Sequence, residues 1–264
     1  NVRTLKLLLA YDGTGYAGWQ VQPGQPTVQA ALETAITKVT GRTVRTVASG
    51  RTDAGVHALG QVVGFSTDAA LSCDAFRRAI NANLPRDIAV RDVVEAPHGF
   101  HPIRDAVRKR YRYVLYDASI RDVFSLRFAW QYPYGRLDAA AMQRAARALL
   151  GRHDFRSFQT TGAERKTTVR TVLDLSVVRG GAEQVTPPND TAGGCHDGSP
   201  WITLEIEADG FLYNMVRAIV GTLTEVGRGA QPESWPAEVL AAGDRRRAGP
   251  TAPPHGLFLV NVTY

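Results

Sequence analysis

Thr27-Val28-Gln29-Ala30-Ala31-Leu32-Glu33-Thr34-Ala35-Ile36-Thr37-Lys38-Val39 is the stretch that decides the fold. Thr27 suits a helix N-cap, where its hydroxyl accepts a hydrogen bond from an otherwise unsatisfied N–H. Val28, Ala31, Leu32, Ala35, Ile36 and Val39 then recur at three- and four-residue spacing, which lines one helical face. Residues 5–11 before it form an apolar run of strand length. After it come strand patterns at 44–48 and 61–65, a short helix at 74–81 stopped near Pro85, and a strand at 88–94. The order is β-α-β-β-α-β, the split arrangement also used by RNA-recognition modules.

The second half predicts the same order. A strand at 111–116 precedes a helix capped by Asp138, with Met142, Ala145, Ala146 and Leu149 on one face and an end at Gly151. Strands at 169–178 and 201–206 lead to a helix at 211–226 carrying Met215, Ala218, Ile219, Thr222, Leu223 and Val226 on one side. An extra helix at 236–242 precedes a closing strand at 257–262. The expectation is an α+β protein of two pseudo-repeated, RNA-recognition-like (ferredoxin-like) halves, 1–104 and 105–264. Their extended mixed or antiparallel sheet would be flanked by helices, with a central cleft. The repeat is one of pattern, without clear identity between the halves. Residues 180–200, rich in Gly, Pro, Asp and Thr, read as a long hairpin loop.

The position of the first helix also disposes of a tempting motif. Gly13-Thr14-Gly15-Tyr16-Ala17-Gly18 has the spacing of a dinucleotide-binding loop. That loop works by leading straight into a helix whose N-terminus faces the pyrophosphate. Here no helical pattern starts before Thr27, and the strand order is wrong for a parallel nucleotide-binding sheet. Both points argue against a nicotinamide-dependent oxidoreductase, which a nicotinamide fluorescence titration would test, and no nucleotide cofactor is expected.

With 264 residues, 44% apolar and 21% charged, the chain can bury a globular core. A net charge of +6 and a pI near 9.5 suit a polyanionic partner. Cys73 and Cys195 have no metal-ligand spacing, and Cys195-His196-Asp197 and the His98/His101 pair lack further ligands, so no metal is expected. No GxSxG, HExxH or paired CxxC occurs. Apolar runs are too short for a membrane span, and residues 5–10 are too short for a signal-peptide core. The expectation is a cytoplasmic protein that does not engage membranes.

Gly50-Arg51-Thr52-Asp53-Ala54-Gly55-Val56-His57 places a carboxylate two residues from a guanidinium, in a glycine-bounded segment between two strands. Such an aspartate is a nucleophile, a base, or an ordinary turn residue in a salt bridge. A neighbouring arginine favours its ionised form. Lys109, Arg110 and Arg112 alternate with Tyr111 and Tyr113 along a strand, which suits base stacking beside phosphate contacts, or half-buried sheet tyrosines. Arg165-Lys166 and Arg245-Arg246-Arg247 add positive charge.

These residues resemble the TruA family of tRNA pseudouridine synthases. The likeness rests on Gly50 to His57, Lys109-Arg110-Tyr111-Arg112-Tyr113, Gly210-Phe211-Leu212-Tyr213-Asn214-Met215-Val216-Arg217 and Gly256-Leu257-Phe258-Leu259. Tyr11-Asp12-Gly13, Gly18-Trp19-Gln20, Asn81-Ala82-Asn83-Leu84-Pro85 and His153-Asp154-Phe155 extend it over nearly the whole chain. The resemblance implies isomerisation of uridine to pseudouridine in the anticodon stem-loop of tRNA, at positions 38, 39 and 40, by a homodimer without a cofactor. It implies Asp53 as catalytic carboxylate, Arg51 in the space left by the displaced nucleotide, and Tyr111 stacked on the target base. Arg217 would pair with Asp53, Leu257 would pack against the base, and Lys109, Arg110 and Arg112 would contact RNA. One departure stands out: the family's F-H-A-R stretch reads Phe100-His101-Pro102-Ile103-Arg104 here. The competing reading is a non-catalytic RNA-binding module or RNA chaperone, which the fold pattern and basic strand alone would satisfy.

Overall fold

The computed structural model describes residues 2–160, 167–180 and 198–264. They divide into two compact units, Asn1–Lys109 with Phe258–Tyr264, and Arg110–Leu257. The first contains β1 (Arg3–Tyr11), α1 (Val28–Thr40), β2 (Val47–Ala48), β3 (His57–Thr67), α2 (Cys73–Asn83) and β4 (Ile88–Glu95). The chain passes to the second unit within β5 (Arg108–Tyr116). There follow β6 (Trp130–Gln131), α3 (Ala139–Ala146), β7 (Gly151–Asp154), β8 (Val169–Arg179), β9 (Trp201–Ala208), α4 (Met215–Gly227) and α5 (Trp235–Ala242). The last strand, β10 (Leu257–Thr263), joins the first unit from Phe258 onward.

In the first unit the strand order is β4-β1-β3-β10. β1 runs antiparallel to both β3 and β4, β2 adds antiparallel to β3, and β10 pairs parallel to β3 through Phe258↔His57 and Leu259↔Ala58. Leu5, Leu7 and Leu9 alternate inward along β1 and are fully buried, as a period of two requires. Leu32 and Ile36 of α1 and Phe76 and Ile80 of α2 complete that core. The Thr27 cap forms as the sequence predicts, accepting from the Ala30 N–H, and Gly41 closes α1 at φ 69°. The split order is present here, with α2 spanning Cys73–Asn83 rather than 74–81.

The second unit has the order β5-β9-β8-β7, with β8 antiparallel to its two neighbours and β6 parallel to β5. α4 is buried on nearly every side; among its residues only Arg217 and Glu225 are half-buried. Both units are thus α+β, each a mixed sheet with helices. Three expectations change. The helix capped by Asp138 ends at Ala146 in a short 3-10 turn, and Gly151 (φ 93°) opens a further strand, β7. β6 was not anticipated. The helix placed at 211–226 starts at Met215, because Asn214 takes a left-handed conformation (φ 59°). Cys195-His196-Asp197, Arg165-Lys166 and most of the 180–200 loop lie outside the described residues. No helix among the described residues is long and apolar enough to cross a membrane.

Candidate active site

Asp53 lies in the loop between β2 and β3, and that loop is pinned from within the first unit. Thr52 is buried, while Arg51 is exposed and Asp53 half-buried, so the segment turns its middle residue inward and its two charged residues outward. The Thr52 hydroxyl shares a 2.7 Å hydrogen bond with the Tyr11 phenol, and its carbonyl accepts from the Trp19 N–H at 2.9 Å. Val56 N–H donates back to the Asp53 carbonyl at 3.1 Å, closing a turn in which Gly55 sits at φ 77°. Upstream, the buried Gln61 donates to the Gly50 carbonyl and accepts from the Ser49 hydroxyl, both at 2.8 Å. Lys109 Nζ donates to the Ser49 carbonyl at 2.6 Å.

The Gly13 to Gly18 segment, dismissed above as a nucleotide loop, braces the far side of this turn. A Cβ on Gly18, already at φ 96°, would sit 2.7 Å from the Thr52 carbonyl oxygen and 3.2 Å from the Asp53 carbonyl carbon. A Cβ on Gly13 would overlap the Val56 carbonyl, reaching within 2.6 Å of its carbon. Gly13 N–H also donates to Nδ1 of His57 at 2.9 Å, and the His57 ring stacks on Phe258 with centroids 4.8 Å apart. Sequence reading missed Tyr11, Trp19, Gln61 and His57 as supports. The signal available was the Y-D-G and G-W-Q strings, which carry Tyr11 and Trp19 but do not show that these residues meet the 50–57 segment.

In the second unit, Tyr111 is buried to 9% exposure, with its ring edge-on to Phe211 at 5.0 Å. Arg217 is held by acceptors on both sides: Nε donates to the Ala252 carbonyl at 2.6 Å and Nη1 to the Asn214 side-chain oxygen at 2.8 Å. Asn214 is itself tied to Thr160 through its amide at 3.2 Å, which explains why this residue accepts a left-handed backbone. Leu257 is buried at 6%. Tyr113, one strand position beyond the basic pair, is fully buried and donates to the Pro253 carbonyl at 2.8 Å.

Arg110 and Arg112 do not present bare charge. Arg110 pairs with Asp174 (2.9 Å), Glu205 (3.0 Å) and Glu207 (3.3 Å), and Arg112 with Glu205 at 2.6 Å. The Arg112 Nη1 nitrogen is buried with no hydrogen-bond partner among the described residues. At the departure from the family pattern, Ile103 is exposed, and Arg104 donates to the Gly99 carbonyl and to Asp105. Among the described residues no three His, Cys, Asp or Glu side chains gather as metal ligands.

The family model described as tRNA pseudouridine synthase matches residues 8–103 and 145–264. The chain belongs to the tRNA pseudouridine synthase family. It is 43% identical over 264 residues to a Geotalea uraniireducens protein named tRNA pseudouridine synthase A, covering both chains fully. A Moorella thermoacetica protein of that name is 46% identical over 263 residues, with 98% of this chain and 99% of the other covered. For Myxococcus xanthus the figures are 42% over 260 residues, 98% and 91%. The family model leaves 104–144 unmatched, which includes Tyr111, whereas the full-length Geotalea relative spans that segment.

His255, two residues before Leu257, gives this part of the second unit a pH dependence. Burial, with the Arg217 cation adding to it, holds its pKa below the ordinary histidine value against a backbone contact to Ala129. The folded state therefore prefers the neutral ring. Its stabilising contribution is complete above about pH 6.5, the unfolded value, and is lost as pH falls through the depressed folded value. Urea unfolding at pH 7.5 and 5.0 should show the wild type losing more stability on acidification than His255→Gln; equal losses would remove His255 as the cause.

Proposed function

We propose that this chain converts uridine to pseudouridine in the anticodon stem-loop of tRNA, at positions 38, 39 and 40, with Asp53 as its catalytic carboxylate. The observation that supports this most directly is the Arg51-Thr52-Asp53 turn, clamped inward at Thr52 with its charged residues outward, in a chain of this family. The reaction breaks N1–C1′ of the nucleoside, turns the uracil and joins C5 to C1′. Nothing is oxidised and no group departs, so the stoichiometry calls for no redox cofactor.

A stacked base must first leave the helix, at a cost of a few kcal/mol. Arg51, exposed and two residues from Asp53 in the chain, fills the vacated space in this reading, and Tyr111 stacks on the base. Leu257 packs against the base and Arg217 balances the carboxylate charge. Glycosidic cleavage builds positive character at C1′, which an ionised carboxylate stabilises or attacks. Addition to C6 of the uracil, or removal of the C2′ proton to give a glycal, uses the same ionised group. Phosphate contacts at Lys109, Arg110 and Arg112 would share or exchange the carbonyl and carboxylates these residues already hold. Such contacts place the stem-loop by shape rather than by sequence. The reading also includes RNA-recognition-like repeats in the two halves, a homodimer and a cytoplasmic setting.

The test is pseudouridine mapping in tRNA from a strain lacking the gene, with and without the wild-type protein restored. Loss and recovery confined to the anticodon arm is expected. Unchanged pseudouridine throughout the tRNA pool would overturn the proposal.

A further inference from the structure

Tyr11 is a buried titratable group that the reaction described above does not use. It ends β1, is 4% exposed, and shares its 2.7 Å hydrogen bond with Thr52, which is 6% exposed. Thr52 separates Arg51 from Asp53. Burial alternates along Arg51-Thr52-Asp53, exposed, buried and half-buried, so the bond that holds Thr52 inward also bears on the outward placement of its neighbours. The Thr52 carbonyl also accepts from Trp19 N–H, so residue 52 is anchored at its hydroxyl and at its carbonyl, and together these bonds fix the backbone that carries Asp53. Burial pushes the Tyr11 pKa up to about 12, with Thr52 and Gln61 as hydrogen-bonding neighbours opposing the shift. The phenol therefore stays protonated throughout the working pH range.

We infer that Tyr11 and Thr52 form a positioning pair, whose buried hydroxyl–hydroxyl bond holds Asp53 at the angle from which its carboxylate meets the substrate. This rests on the reading of Asp53 given above. Neither residue touches the uridine. Their effect is on the orientation of a reacting group, where displacement of about 1 Å can cost on the order of a hundredfold in rate. A wholly structural bond would affect stability and leave the rate of the folded enzyme alone.

Single-turnover rates of pseudouridine formation, with enzyme in excess over tRNA, distinguish the two. Tyr11→Phe and Thr52→Val should each lower the rate about tenfold or more, with the tRNA dissociation constant within about twofold of wild type. The double variant should be no slower than the slower single, since each substitution removes the same bond. Thr52→Ser, which keeps the hydroxyl, should recover most of the rate. Assays are run at a temperature where circular dichroism shows each variant folded; if Thr52→Val does not fold, Tyr11→Phe and Thr52→Ala carry the test. Rates within twofold of wild type for the folded variants overturn the inference. So do losses that appear wholly in tRNA binding. A wild type that makes no pseudouridine instead overturns the functional reading, a result separable from either.

Discussion

Asp53→Asn is expected to abolish pseudouridine formation while leaving the protein folded and able to bind tRNA. The two side chains have the same shape. The backbone turn from Val56 N–H to the Asp53 carbonyl and the clamp on Thr52 do not depend on the carboxylate's charge. What the substitution removes is the negative charge that each route to pseudouridine requires, at C1′, at C6 or at the C2′ proton. Charged groups of this kind cost on the order of 10³-fold or more in rate when neutralised. Release of tritium from tRNA labelled at uridine C5 measures the loss directly, because C5 exchanges its hydrogen for the new bond to C1′. Binding to the same tRNA by filter retention should change by no more than a few-fold. Full tritium release from Asp53→Asn would remove this residue from the chemistry. A non-catalytic RNA chaperone would show no release from the wild type either, and its cellular phenotype would survive the substitution.

Regular periodicity was legible in the sequence, and contacts made at long range were not. The strand at 5–11 and the capped face of α1 follow from local pattern, and both stand where that pattern puts them; which leucines of β1 face inward came from the fold. β6 and β7 are two and four residues long, too short to show any period. Residues 211–214 continue the apolar pattern of α4, yet the helix starts only after Asn214, whose backbone is left-handed and whose side chain is held by Thr160 and Arg217. The same limit applies to the site. Arg110 and Arg112 read as a basic surface because Asp174, Glu205 and Glu207 are more than 60 residues away along the chain. Tyr11 read as the end of a strand and as part of the Y-D-G string, with nothing to pair it with Thr52, which lies 41 residues on. The motif strings singled out Asp53 and Arg51 as candidates; the groups that pack around their segment needed the fold.

Gly13→Ala should destabilise the protein and slow catalysis together, while Gly15→Ala, two residues away in the same motif, should do neither. In a nucleotide-binding loop both glycines would be needed for the phosphate. Here only spatial neighbours decide. The added methyl group at position 13 meets main-chain atoms of Val56, with the carbonyl carbon at 2.6 Å and the nitrogen at 3.1 Å. A main-chain neighbour cannot rotate away as a side chain can, so either β1's end or the 53–57 turn has to shift. Overpacking of this kind costs about 1–3 kcal/mol. The turn is the less regular of the two, and its displacement carries Asp53 with it, so a rate loss of about tenfold or more should accompany the loss of stability. Gly15 has no atom within 4 Å of its would-be Cβ and does not need a positive φ. Replacing it by alanine restricts the unfolded chain and should be neutral or stabilising by about 0.4–1 kcal/mol. Urea unfolding and single-turnover rates on the two variants check both halves. If Gly13→Ala proves as stable and as fast as Gly15→Ala, the brace beneath the 53–57 turn is not where the fold puts it.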